Sequence, residues 1–316
     1  MRRLEIVHRT RYEYSEPVKL GDHRLMFRPR DSHDLRLLHT ELSIEPAAQV
    51  RWIHDPFGNS IAIASFDGET QVLELVSTIR LEHFGLPPDL VPIEDYAQKL
   101  PFSYLAEEGP DLARYLVRHY PDPNAVVSNW AKQFLEGEGG SETFATLERM
   151  CKGIQKRLEY TMRFELGTQP PATTLENGGG TCRDYALLMM EGARALGLAA
   201  AFITGYLYDP ALDEAAGGKF QPAFAHAWME VYLPGAGWVE FDPTNGIIGS
   251  ERLIRVAVGR DPEQTMPIKG TFTGTPDVVV NTMVDVHVST LVPAGDAGDG
   301  RESAAIEPAQ TPITQS

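Results

Sequence analysis

The stretch "NGGGTCRDYALLMMEGARALG", residues 177–197, runs three glycines and a threonine directly into Cys182 and a long apolar segment. From Cys182 to about Leu196 the apolar positions Tyr185, Leu188, Met189 and Leu196 recur at helical spacing, and Ala186, Leu187, Met190 and Ala193 nearly close the circle. A helix apolar on almost every side is a buried one. Cys182 therefore opens a central helix, and the chain holds one other cysteine, Cys151.

A thiol acts as a nucleophile only as thiolate. The partial positive charge at a helix N-terminus lowers a cysteine's pKa, and a nearby imidazolium lowers it further. Gly178, Gly179 and Gly180 would let a substrate lie close to the backbone, and the free N–H of Cys182 in the first helical turn could donate to an oxyanion. Gly180 and Asp184 are thus candidates for a substrate cleft, although an acid in the first turn is also explained by the helix dipole alone.

The missing base should be a histidine oriented by a carboxylate. Of nine histidines, His226 opens the strand "HAWMEVYL" and Asp242 ends the strand "GWVEFDP", with Pro234 eight residues from each. A hairpin centred there with an odd-numbered loop places the two directly opposite on one face, where Cβ atoms lie about 5 Å apart. An even-numbered loop would turn them to opposite faces. All three side chains should then meet at one end of the sheet, with the sulfur roughly 3 to 4 Å from one imidazole nitrogen. Trp228 packs around this hairpin or forms a wall of the cleft.

Upstream, Leu4, Ile6, His8, Thr10, Tyr12 and Tyr14 alternate with charged residues as in a half-buried strand, and "LLHTELSIEP" and "QVLELVSTIRLEHF" repeat the period of two. Residues 1–90 read as an antiparallel β domain. Beyond "GLPPDLVP" the period becomes helical in "PDLARYLVRHY", "PNAVVSNWAKQFL" and "SETFATLERMCKGIQKRLEY", with Ser141 as N-cap of the last. Cys151 falls in the apolar stripe of that helix and reads as a small buried hydrophobe. The prolines of "GTQPPATTLENGGG" suggest an irregular lead-in. The strands "AAAFITGYLY", "HAWMEVYL" and "GWVEFDP" follow, with a late strand in "DVVVNTMVDVHV". Residues 91–293 then form a second domain, and 294–316, rich in Gly, Ala and Pro, a disordered tail.

Composition removes several classes. With 44 acidic against 28 basic residues and a net charge of −16, neither nucleic acid nor an anionic membrane is expected as a partner. No apolar run follows the basic N-terminus and none approaches eighteen residues, so a cytoplasmic location is expected, with reduced thiols. Cys182, His226 and Asp242 could ligate a metal, but no C-x-x-C or H-x-x-x-H spacing accompanies them, and "NGGGTC" lacks a P-loop lysine. No metal or cofactor is expected.

"GGGTCRDYA", "HAWMEVYLPGAGWVEFDPTNG" and the order Cys, His, Asp resemble the bacterial transglutaminase-like family, most strongly over residues 174–246. The strand-rich N-terminus is similar to the β domain that often precedes its core. The resemblance implies an α+β fold: a papain-like core with a central helix packed on an antiparallel sheet. It implies Cys182 as nucleophile, His226 as general base and acid, and Asp242 as orienting carboxylate. In the better-studied transglutaminases an upstream aromatic side chain assists the oxyanion hole. No tryptophan matches here, and Tyr160 is the nearest candidate beside the Cys182 N–H. The expected activity is cysteine-dependent acyl transfer from a protein or peptide amide, to water or to an amine. The competing expectation is a peptide-binding or scaffolding protein that retains the triad without using it.

Overall fold

The structure is a computed structural model and describes residues 1–85, 92–137, 140–163, 165, 167–213 and 225–291. The fold is α+β, with antiparallel sheets and five α-helices among the described residues.

The N-terminal part contributes β1 (Arg2–Val18), β2 (His23–Leu25), β3 (Leu35–Glu45), β4 (Ala48–His54), β5 (Ser60–Phe66) and β6 (Thr70–His83). In β1 the side chains of Leu4, Ile6, His8 and Thr10 are buried and their neighbours are not, the alternation expected of a strand with one covered face. A short pair, β7 (Lys99–Leu100) and β8 (Ser141–Glu142), brackets α1 (Gly109–Leu116) and α2 (Val126–Lys132). Then come α3 (Thr143–Arg157), β9 (Glu159–Tyr160), α4 (Pro171–Asn177), β10 (Gly179–Gly180) and α5 (Cys182–Ala195). The core sheet is built from β11 (Ala200–Leu207), β12 (His226–Leu233), β13 (Gly237–Asp242), β14 (Ile247–Ile248) and β15 (Leu253–Gly259), in the order β14-β13-β12-β11-β15. The chain closes with β16 (Ile268–Lys269) and β17 (Val279–Thr290).

One face of the core sheet, with Phe202, Ala227, Met229, Val231 and Phe241, packs against α5 through Leu187, Leu188 and Met190. Residues Cys182 and Tyr185–Ala193 are all buried, as the encircling pattern requires. Further along the sheet, Tyr206, Tyr208, Ile254 and Val256 pack with Leu4, Ile6, Ile79 and Leu81 of the N-terminal sheet.

Three local expectations differ from what is found. The late strand, which the sequence reading placed within the second domain, pairs with the first: β17 runs antiparallel to β1, as does the short β16 to β2. Strand pairing is set by tertiary register and carries no local mark. Ser141 does not cap α3. Glu142 precedes the helix without a side-chain cap, and the Ser141 hydroxyl bonds Thr146 Oγ1 at 2.6 Å. The lead-in contains a helix, α4, which begins on Pro171 and ends at Gly178 in the left-handed region (φ +66°). A proline at the first helical position and a glycine past the end are ordinary helix punctuation. The boundary expected at residue 90 and the tail at 294–316 lie outside the described residues.

Candidate functional site

The site forms where the N-terminus of α5 meets the start of β12. Thr181 and Asp184 hold that helix end in a capping arrangement, since Asp184 Oδ2 accepts from both the backbone N–H and the hydroxyl of Thr181 at 2.9 Å. Asp184 Oδ1 accepts from Arg163 Nη2 at 3.1 Å and from the Gln169 N–H at 2.8 Å. All of Asp184 is buried and committed to these bonds, so it does not line a cleft as the sequence suggested. Asp184→Asn should lower stability by about 3–5 kcal/mol, the usual cost of breaking a buried ion pair, read by urea unfolding.

Gly179 and Gly180 are demanded by chain packing, whereas Gly178 has open space beside it and supplies the positive φ that ends α4. A Cβ on Gly179 would stand 2.4 Å from the carbonyl oxygen of Glu159, and one on Gly180 would stand 2.7 Å from Gln169 Nε2. This closeness lets β10 pair in parallel with β9, Gly180 opposite Tyr160. Gly180 is thus buried support, and what it brings up to Cys182 is Tyr160. The half-exposed Tyr160 ring meets Tyr185 edge-on at 6.3 Å between centroids and lies near enough to Cys182 to feel its charge. Burial, and then the neighbouring thiolate charge, push its pKa up to about 12, so it stays a neutral O–H donor.

His226 and Asp242 come from the β12–β13 hairpin. The register runs from Leu233↔Gly237 to Met229↔Phe241, so the three-residue loop Pro234–Ala236 centres on Gly235, one residue beyond the expected Pro234. Continued, that register sets Trp228 opposite Asp242. His226 is therefore the diagonal neighbour of Asp242, not its direct partner. The loop is still odd-numbered, both side chains stay on one face, and diagonal pairs lie within reach of long side chains. His226 Nε2 meets Asp242 Oδ2 at 2.9 Å. The Cys182 thiol lies beside the His226 imidazole, close enough for each to hold the other's charge, and with Nε2 committed to Asp242 the nitrogen left for sulfur is Nδ1. His226, Trp228 and Asp242 lie on the sheet face away from α5, so the contact with Cys182 is made at the sheet's end.

Trp228 is fully buried and stacks on the imidazole at 5.9 Å between ring centroids. It supports His226 from beneath and forms no cleft wall. Sequence reasoning missed Asn245, whose Nδ2 donates to Asp242 Oδ2 at 2.8 Å while the N–H groups of Thr244 and Asn245 reach Oδ1 at 2.9 and 3.3 Å. The Asp-Pro-Thr-Asn-Gly run was its signal, because an aspartate opening such a turn takes up the N–H groups that follow it. Cys151 lies below, fully buried, its S–H donating to the Asp242 carbonyl at 3.4 Å.

Charges in the site reinforce one another. Burial by itself would raise the Cys182 thiol, but the hydrogen bond and charge of His226 and the Ala227 N–H outweigh it and hold the thiol low. Burial would lower His226, but the Asp242 carboxylate and the thiolate hold it high. Burial would raise Asp242, but His226, Asn245 and the Thr244 N–H hold it low. The arrangement favours thiolate, imidazolium and carboxylate together. Cys151 has burial unopposed by any such partner and is pushed far up. Among the described residues no group of three or more His, Cys, Asp or Glu side chains could hold a metal ion.

A buried helix that presents a cysteine to a histidine and a carboxylate on an antiparallel sheet defines a transglutaminase-like core. Residues 128–243 match the transglutaminase-like superfamily, and residues 4–82 match the bacterial transglutaminase-like N-terminal region. The chain thus carries a transglutaminase-like core behind a bacterial transglutaminase-like N-terminal region. An uncharacterized protein of Mycobacterium tuberculosis is 26% identical over 310 residues, covering 93% of this chain and 94% of its own. An uncharacterized protein of Mycobacterium leprae is 23% identical over 286 residues, covering 90% and 99%. The crystal structure of a "putative cysteine protease" from Cytophaga hutchinsonii shares the fold with a TM-score of 0.68 at 17% identity, covering 92% of this chain and 91% of that one. No helix among the described residues is long and apolar enough to cross a membrane.

Proposed function

We propose that the protein is a cysteine-dependent acyl-transfer enzyme acting on peptide or side-chain amides. The observation that carries this reading is the His226–Asp242 pair, bonded at 2.9 Å, set beside the thiol that opens the central helix at Cys182. The Cys182 thiolate attacks the amide carbon and the carbonyl electrons move onto oxygen. As the tetrahedral intermediate collapses, the C–N bond breaks, the amine leaves with the proton from His226, and a thioester remains. Water or an amine then attacks the thioester, giving its proton back to His226, and sulfur departs as thiolate. Asp242 keeps the imidazole in one orientation and stabilises its cation. The Cys182 N–H and the Tyr160 hydroxyl are the candidate oxyanion donors.

The substrate is a protein or peptide; neither nucleic acid nor membrane enters this reading, and two unpaired thiols suit a reducing, cytoplasmic setting. The test is a thiol-directed activity probe with an amide-like recognition element, applied to wild type and Cys182→Ala. Labelling of wild type alone supports the reading; equal labelling overturns it in favour of a scaffolding protein. Tyr160→Phe should lower kcat by about 10²-fold with little change in KM, the loss typical of one oxyanion donor. An unchanged kcat removes Tyr160 from the mechanism.

A further inference from the structure

The loop that follows Asp242 is held by α3. Residues Pro243–Gly246 join β13 to β14, and Asp242 stands directly opposite Ile247 in that pairing. Cys151 and Gln155 lie one helical turn apart on α3, on the face that meets this loop. The Cys151 sulfur is 3.4 Å from the Asp242 carbonyl oxygen and 3.8 Å from that of Ile247, and Gln155 Nε2 donates to the Asn245 carbonyl at 2.8 Å. Gly246, at φ +66°, lies flat against the Gln155 amide, where a Cβ would stand 2.4 Å from Oε1.

The support ends on an oxygen of the site. Asn245 Nδ2 donates to Asp242 Oδ2 at 2.8 Å, the same oxygen that meets His226 Nε2 at 2.9 Å, and it lies 3.4 Å from that nitrogen. Asp242 is fully buried whereas Asn245 is exposed, so this amide reaches in from the surface to a buried carboxylate. The other oxygen, Oδ1, is taken up by the N–H groups of Thr244 and Asn245. With donors on both oxygens the plane of the carboxylate is fixed, and that plane sets the direction in which His226 offers Nδ1 to sulfur. Reacting groups tolerate little misplacement: a shift of about 1 Å costs on the order of 10²-fold in rate. Gln155 bonds the backbone of Asn245, not Asp242, so it governs the carboxylate only through the Asn245 amide.

We propose that Asn245 is a positioning residue for the His226–Asp242 pair and that Gln155 of α3 holds it in place. This rests on the reading of Cys182 as a thiol activated by His226, and the test reads that thiol directly, without turnover. Iodoacetamide labelling of Cys182 is followed over a pH series in full-length wild type, Asn245→Ala, Gln155→Ala and the double variant, with thermal unfolding measured alongside. Cys182 and His226 answer to each other, to Asp242 of β13 and to Tyr160 of β9, and Cys151 of α3 faces Asp242. Burial keeps Tyr160 and Cys151 protonated across the acid limb, so the limb reports Cys182. A loosened imidazole holds the thiolate less well, and in Asn245→Ala the limb should move to higher pH by at least about half a unit. Gln155→Ala should move it the same way by less, and the double variant no further than Asn245→Ala alone, because both changes act through one amide. A purely structural role would lower the unfolding temperature and leave the limb in place. An unmoved limb in folded Asn245→Ala, with the wild-type plateau intact, overturns this proposal alone. Additive shifts in the double variant overturn the part given to Gln155, and a wild type with no plateau overturns the activated thiol and this proposal together.

Discussion

Iodoacetamide at pH 7 should alkylate Cys182 at least about 10²-fold faster than Cys151 in the folded protein, because reactivity follows the thiolate fraction and access. The two thiols are both buried but differ in company: His226 holds Cys182 low, while Cys151 is pushed up by burial and faces carbonyl oxygens of Asp242 and Ile247. The pH profile carries the sign. Thiolate exists above the depressed pKa of Cys182 and is lost as pH falls through it. Imidazolium exists below the raised pKa of His226 and is lost as pH rises through it. The labelling rate should therefore plateau across neutral pH and fall only on the acid side, below the free-cysteine value of about 8.5. In His226→Ala only the Ala227 N–H still opposes burial, and the rise in rate should move to higher pH than in wild type. Mass-spectrometric site assignment over a pH series reads both. Equal labelling of the two cysteines, or a wild-type profile that rises only above pH 8.5, contradicts the thiolate–imidazolium pair.

The second large effect concerns the relay in turnover. His226→Ala should lower kcat by at least about 10⁴-fold, since the leaving amine loses its proton donor and the thiol its activating partner. Asp242→Asn should leave more residual activity, about 10²- to 10⁴-fold below wild type, because an amide still orients the ring but stabilises the cation less. Single-turnover release of amine from an amide substrate, compared across these variants and wild type, makes the measurement. A histidine variant at wild-type rate removes His226 from the mechanism, and an Asp242→Asn protein without any effect removes the orienting role.

Much of this was legible in the linear chain. The encircling apolar pattern after Cys182 called for a buried helix, and period-two alternation marked β1, β3 and β6. Counting residues between His226 and Asp242 put them on one sheet face. Parity survives a shift of two, so the face was right although the opposition was not: the turn centres on Gly235 and the pair is diagonal. For Asp184 and Trp228 the sequence left a packing role and a cleft role side by side, for a common reason. A carboxylate near a nucleophile and an indole near a histidine look alike in sequence whether exposed or sealed, and their burial comes from Arg163 and Gln169 in one case and Ile203 and Leu253 in the other.

The sequence by itself determined the local order: which segments are helix or strand, which cysteine stands at a helix start, and which histidine and aspartate share a face. These follow from periodicity and steric preference within short stretches. Only the tertiary structure decided that Gly179 and Gly180 admit the strand carrying Tyr160 and that β17 returns to β1. Each depends on segments distant along the chain meeting in space, where packing, register and the satisfaction of buried polar groups are settled by the whole fold.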